Sequence, residues 1–289
     1  MALQSVPYIA HFAELAPRYD VLLSDVWGVV HDGVIATPAA CDALIRFRER
    51  GGTVILITNA PRPGEVVTKF TDKVGVPREA YDGIVSSGDV TRAVMALRPG
   101  KRVFHLGPER DLPIFEGLDV QFVTLQEADY VVCTGLRDDD NETAENYRDE
   151  LAAMHDRGLV MLCGNPDLVV GRGDKLIHCA GAIADLYGTL GGEVIYAGKP
   201  HAPIYDQALA LAAARRGGET SRARVLAIGD SVRTDLTGAA RAGLDFLFVT
   251  AGIHAEELGT EDRPDPAALR RMLSAAEGMP IAIMRELAW

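Results

Sequence analysis

Asp25 closes the apolar run Val21-Leu22-Leu23-Ser24, and the chain breaks into a loop at Gly28. Three later stretches repeat the pattern of an apolar run followed by a reactive group. Thr58 and Asn59 end Thr53–Ile57, Lys199 follows Val194–Ala197 within Gly198-Lys199-Pro200, and Asp230 follows Val225–Ile228 within Gly229-Asp230-Ser231. Carboxylate, hydroxyl, ammonium and carboxylate together suit one metal ion and one phosphate. Asp25 could attack phosphorus as a nucleophile, giving an aspartyl-phosphate that water then hydrolyses. Asp25 and Asp230 supply the hard oxygen ligands that Mg²⁺ prefers. Asp235, near the start of the following helix, could hold a metal-bound water. Lys199 offers a compact positive charge. Thr58, Asn59 and the backbone N–H groups of Val26 and Trp27 could hold phosphoryl oxygens. Each piece alone is weak, since aspartates at strand ends, Gly-Lys-Pro and Gly-Asp-Ser are common turns and loops. Their joint occurrence, in order and each after an apolar run, carries the reading.

Such groups need buried strands to position them. Thr53–Ile57 is β-branched and apolar without alternation, as in a strand covered on both faces. Thr37 suits a helix N-cap and Pro38 the first helical position, with Gly51-Gly52 ending that helix after about Arg50. Residues 8–19 read as a short amphipathic lead-in, and a second helix runs from about Gly64 to Val74. Further strands are expected near 84–86, 102–106, 120–123, 129–133, 159–163, 193–197, 224–229 and 245–249, alternating with helices. Repeated βα units imply parallel sheets with covered faces. The fold class is α/β, a doubly wound, Rossmann-like parallel core. The reactive strand ends fall before residue 60 and after residue 197, so the block between reads as an inserted α/β cap domain. The expected boundaries are core 1–83 and 192–289, cap 84–191, with the cap a candidate lid.

The chain has 289 residues, 48% of them hydrophobic, enough for a real core, and a formal net charge of -12 that argues against nucleic-acid or anionic-membrane partners. Cys41, Cys133, Cys163 and Cys179 form no Cys-x-x-Cys pair and read as buried free thiols. Met1–Pro7 lacks a basic segment followed by an apolar block, and no apolar run approaches the roughly 20 residues of a membrane span. A soluble, cytoplasmic protein is expected.

The motifs Asp25…Gly28-Val29, Thr58-Asn59, Gly198-Lys199-Pro200 and Gly229-Asp230-Ser231…Thr234-Asp235 resemble the four motifs of the haloacid dehalogenase superfamily. The insertion between the second and third is similar to the cap of its NagD-like, class IIA branch, as are Ser86-Ser87-Gly88-Asp89 and Cys163-Gly164-Asn165-Pro166-Asp167. The resemblance implies Mg²⁺ dependence, phosphatase-type chemistry on a small phosphate ester, metal ligation by the backbone carbonyl of Trp27, and a homodimer. It also implies that Asn165 contacts substrate from the cap, a stretch that on its residues alone is an Asx-type turn. One departure stands out. Phosphatases of this superfamily carry a second aspartate two residues after the nucleophile, as general acid and base, and this chain has Trp27 there. Indole cannot transfer that proton, whose donation is worth about 10²–10⁴-fold in rate.

A slow phosphatase, a phosphate binder without turnover and an enzyme with a displaced acid all stay open. His31 titrates in a useful range and is the nearby replacement, with a hydrogen-bonded loop histidine as its bland reading; Asp32-Gly33 reads as a turn. A catalytically weakened phospho-ligand binding protein is the chief rival. Halide displacement from a haloacid by Asp25 is another, opposed by the metal-type carboxylates Asp230 and Asp235. Asp138–Glu142 lacks the glycine of a calcium loop, and Gly171-Arg172-Gly173-Asp174 lacks the third glycine of a dinucleotide fingerprint. His201 is either near the site or simply a helix-start residue.

Overall fold

The computed structural model describes residues 6–98, 100–172, 175–259 and 263–289. Met1–Ser5, Gly173 and Asp174 lie outside them. Thirteen strands follow one another along the described chain: β1 Val21–Asp25, β2 Thr53–Thr58, β3 Gly83–Ser86, β4 Arg102–Leu106, β5 Gln121–Phe122, β6 Tyr130–Cys133, β7 Met161–Cys163, β8 Val169–Arg172, β9 Lys175–His178, β10 Val194–Tyr196, β11 Val225–Gly229, β12 Asp245–Val249 and β13 Ala282–Met284. They form a six-stranded sheet in the order β13-β12-β11-β1-β2-β3, a five-stranded sheet in the order β10-β7-β6-β4-β5, and the hairpin β8-β9. The chain divides into two compact units. The first comprises the chain through Thr58, Thr68–Val85 and Tyr205–Trp289; the second comprises Asn59–Val67 and Ser86–Ile204.

In the first unit every residue of β1, β2 and β11 is buried. Helices cover a parallel sheet on both faces, so its strands read as continuous apolar runs. Leu22, Val54, Leu56, Leu226 and Ile228 join Leu44 and Phe47 of the helix Pro38–Glu49 in one core, each such burial contributing roughly 1.5–3 kcal/mol. The parallel register sets Val21 opposite both Thr53 and Val225. Asp25 then lies opposite Ile57, and Ser24 opposite Ile228. Asp25, Thr58 and Asp230 therefore leave the same edge of the sheet. From β1 the chain moves outward to β2 on one side, and it re-enters at β11 on the other. The strand order reverses between β1 and β11, the topological switch point at which open α/β sheets bind ligands.

In the second unit the strands of the five-stranded sheet also pair in parallel. Alternate residues of β6 serve two clusters: Val131 and Cys133 pack with Leu151, Met154 and Ile183, whereas Tyr130 and Val132 pack with Met95 and Ile114. Both faces are thus apolar, which is the period-two signature of a doubly covered strand. All four cysteines are buried and free, and burial pushes the Cys133 thiol up to about 12.

The sequence reading counts Val194–Lys199 among the core strands, and here the structure differs. β10 pairs with β7, Val194 opposite Met161, so the strand before Lys199 belongs to the second sheet. Apolar character marks a strand as buried without saying which sheet buries it. The hairpin β8-β9 and strand β13 carry no expectation from the sequence; β13 is three residues long and the hairpin is half-exposed, so neither shows a strong pattern. Among the described residues no helix is long and apolar enough to cross a membrane.

Candidate active site

At the switch edge of the first unit, Asp25, Asp230 and Asp235 bring carboxylate oxygens within 4.8 Å of one another, and all three are buried. Asp25 is the last residue of β1 and Asp230 the first after β11. Asp235 is brought back to them by a wide helical turn over Val232–Leu236, in which the Leu236 N–H donates to the carbonyl of Ser231, five residues behind. Such π-type turns concentrate at functional sites. The Ser231 N–H donates to Asp235 Oδ2 at 3.1 Å, and the Ile253 N–H donates to Asp230 Oδ2 at 2.7 Å. Room for Asp230 comes from two glycines: a Cβ on Gly28 or on Gly252 would collide with its Oδ2, and Gly28 also has φ +85°. Gly252 and Ile253, just beyond β12, escape sequence reasoning. The only signal was a glycine shortly after an apolar strand.

Three buried carboxylates this close are stable together only with a cation or shared protons to offset their charge. Hard oxygen donors of this kind suit a divalent metal ion. The donor set thus fits the expected metal, and the glycine cradle keeps the carboxylates where they meet.

The loop after Asp25 is held by its own backbone. The Val30 and His31 N–H groups donate to the Val26 carbonyl at 2.8 and 3.1 Å, and the Gly28 N–H donates to the His31 carbonyl at 2.8 Å. The Trp27 ring is half-buried, its centroid 5.2 Å from His31 and 6.3 Å from Phe70, with the Trp27 and Phe70 planes 3° apart. His31 is buried, and burial lowers its pKa to about 4. Its Nδ1 accepts the Gly33 N–H at 3.0 Å. The imidazole is therefore neutral near pH 7, with the proton on Nε2, which supports the bland reading over the replacement acid. Asp32 is exposed, and its Oδ1 accepts the Val34 and Ile35 N–H groups at 2.8 Å each, the turn expected from sequence.

Thr58 is buried at the end of β2 in the first unit. Lys199, Asn59 and Asn165 belong to the second unit. There the Asn59 side chain brackets the backbone of Lys199: its Oδ1 accepts the Lys199 N–H at 2.7 Å, and its Nδ2 donates to the Lys199 carbonyl at 3.2 Å. The same Nδ2 donates to Asp167 Oδ1 at 2.9 Å, a tie that no spacing rule suggests. Gly198 is required, because a Cβ there would collide with Asn59 Oδ1. Asn165 Oδ1 accepts the Asp167 N–H at 3.0 Å, forming the Asx turn. The His201 ring stacks on Tyr196 at 5.0 Å. Asp138 accepts from the Asp140 N–H and from Asn141, so that acidic stretch ties its own turn.

Known proteins resemble this chain over most of its length. Residues 22–121 match a family model described as haloacid dehalogenase-like hydrolase, and residues 196–275 match a second, HAD-hydrolase-like model. A crystal structure of a haloacid dehalogenase-like family hydrolase from Brucella suis 1330 is 46% identical, covers 96% of this chain and 99% of its own, and superposes with a TM-score of 0.87. D-glycerol 3-phosphate phosphatase of Mycobacterium tuberculosis is 25% identical over 83% of this chain, which spans 65% of that protein's length. Ribonucleotide monophosphatase NagD of Escherichia coli K12 is 24% identical over 80% of this chain and 88% of its own. The chain belongs to the haloacid dehalogenase-like family of hydrolases.

Proposed function

We propose that the protein is a Mg²⁺-dependent phosphomonoester hydrolase acting on a small soluble phosphate through an aspartyl-phosphate on Asp25. The observation that carries this reading is the meeting of Asp25, Asp230 and Asp235 within 4.8 Å at the switch edge. In it, the Asp25 carboxylate attacks phosphorus and water then hydrolyses the acyl phosphate. Asp230 and Asp235, with Asp25 and the Trp27 carbonyl, are the residues that would hold the metal. When bound, the ion supplies Lewis-acid polarisation of the phosphoryl group. The Val26 and Trp27 N–H groups and Thr58 orient the phosphoryl oxygens. Lys199 and Asn59 are assigned to neutralising and holding the same group, and Asn165 to substrate contact, with the second unit as a substrate-selecting cap. Cytoplasmic location and a homodimer complete the proposal.

Phosphate release from a panel of small phosphomonoesters, with and without Mg²⁺, tests it in wild type and Asp25→Asn. Release that needs Mg²⁺ and vanishes in Asp25→Asn supports the reading; release unchanged in Asp25→Asn overturns it. A second reading, a phospho-ligand binding protein on the same scaffold, is favoured by Trp27. Calorimetric binding of phosphometabolites without product would select it.

A further inference from the structure

Attack by a carboxylate on phosphorus forms the aspartyl P–O bond and pushes the electron pair of the breaking P–O bond onto the leaving oxygen. An alkoxide carries that pair badly and needs a proton as it departs. A carboxylate, phosphate or phenolate carries it unaided. Within the Asp25 loop no side chain offers that proton. Between Val26 and Ala36 only Trp27, His31 and Asp32 carry side-chain heteroatoms. The indole N–H is no acid near neutral pH. His31 is wedged against Trp27 and Phe70, with centroids 5.2 and 5.6 Å away, and its Nδ1 is an acceptor occupied by the Gly33 N–H. The packing is close enough that a Cβ on Gly33 would collide with the indole, and Gly33 has φ +88°. Asp32 is exposed and turns its carboxylate onto the Val34 and Ile35 N–H groups.

We infer that the leaving group departs unprotonated, so that the substrates are phosphates with a stabilised leaving oxygen, the acyl and aryl phosphates, rather than alkyl phosphates. The inference rests on the phosphatase reading above. Asp25 takes the phosphoryl group, the leaving anion collects its proton from solvent, and water releases inorganic phosphate while restoring the carboxylate. The aromatic rings of the loop take the place of the donor.

The test is kcat/KM for 4-nitrophenyl, phenyl and benzyl phosphate, three esters of similar shape with leaving oxygens of rising basicity, together with acetyl phosphate. Wild type should favour acetyl and 4-nitrophenyl phosphate over benzyl phosphate by at least about 10²-fold, the low end of the range for a missing proton donor. Trp27→Asp should recover benzyl phosphate turnover about tenfold or more. The wild-type slope stands as a test even where a variant fails to fold. Hydrolysis of all four phosphates within about tenfold of one another would overturn the inference and leave the phosphatase reading intact, pointing to a donor outside the Asp25 loop. Release from none of the four, with Mg²⁺ present, would overturn both.

Discussion

The two parallel sheets end in opposite electrostatic arrangements. The six-stranded sheet gathers three buried carboxylates within 4.8 Å. The five-stranded sheet lies in a unit where opposite charges stand side by side: Arg62 Nε is 3.1 Å from Asp111 Oδ1, and Arg110 lies 2.7 Å from Asp139. Both sheets follow the same βα logic, so the fold does not decide the difference. The side chains carried beyond the strands decide it. Opposite charges inside one unit fix that unit's structure, whereas like charges held together by glycine and backbone N–H groups prepare a place for something from outside.

The largest expected effect separates the two regions outright. Asp25→Asn should cut Mg²⁺-dependent phosphate release by about 10³-fold or more, while its melting temperature in Mg²⁺-free buffer holds or rises because one of three crowded charges is gone. A large fall in melting temperature would place Asp25 with the structural charges instead.

Next comes Asp111, buried in the second unit. Burial raises its pKa to about 6, outweighing the attraction of Arg62 and Arg110. The folded carboxyl keeps its proton to about pH 6, whereas the unfolded one loses it near pH 4. Between those values the folded state binds more protons, so this group's contribution to stability falls as pH rises and levels off above about 6. Relative to Asp111→Asn, wild type should lose about 2 kcal/mol between pH 4 and pH 7 in urea unfolding. Parallel pH profiles for the two proteins would refute the assignment.

Gly28→Ala sharpens the comparison from the other side. The added methyl meets Asp230 and the backbone is forced at φ +85°, so Mg²⁺ affinity measured by calorimetry should fall about 10–100-fold, as when the support of a ligand is removed. Unchanged affinity would mean that Asp230 is not a ligand. The smallest effect belongs to the thiols. All four cysteines are buried, so the folded protein should react negligibly with a thiol reagent and react fully only in denaturant. Rapid labelling of the folded form would show that these thiols are accessible.

Much of the first unit was legible because its strands, covered on both faces, read as unbroken apolar runs. Asp25, Thr58 and Asp230 stood out as the polar residues ending them. Asp235 was legible as a helix-start acid, but the wide turn at Val232–Leu236 that returns it to the others was not, since that turn depends on backbone hydrogen bonding rather than residue type. The sheet membership of β10 stayed hidden because Val-Ile-Tyr suits either sheet. The tie from Asn59 to Asp167 spans more than one hundred residues, and no local pattern encodes it. Trp27 was legible as an oddity, but the ring packing that accounts for His31 and Gly33 needed coordinates.

The most direct test of the central claim is to trap the intermediate. Wild type and Asp25→Asn would be mixed with radiolabelled acetyl phosphate and Mg²⁺, quenched in acid within milliseconds, and digested for peptide mapping. A hydroxylamine-labile phosphoryl group on the Asp25 peptide of wild type, absent from Asp25→Asn and from samples without Mg²⁺, is the predicted result. Phosphate release by wild type with no label on that peptide, and undiminished in Asp25→Asn, would contradict it.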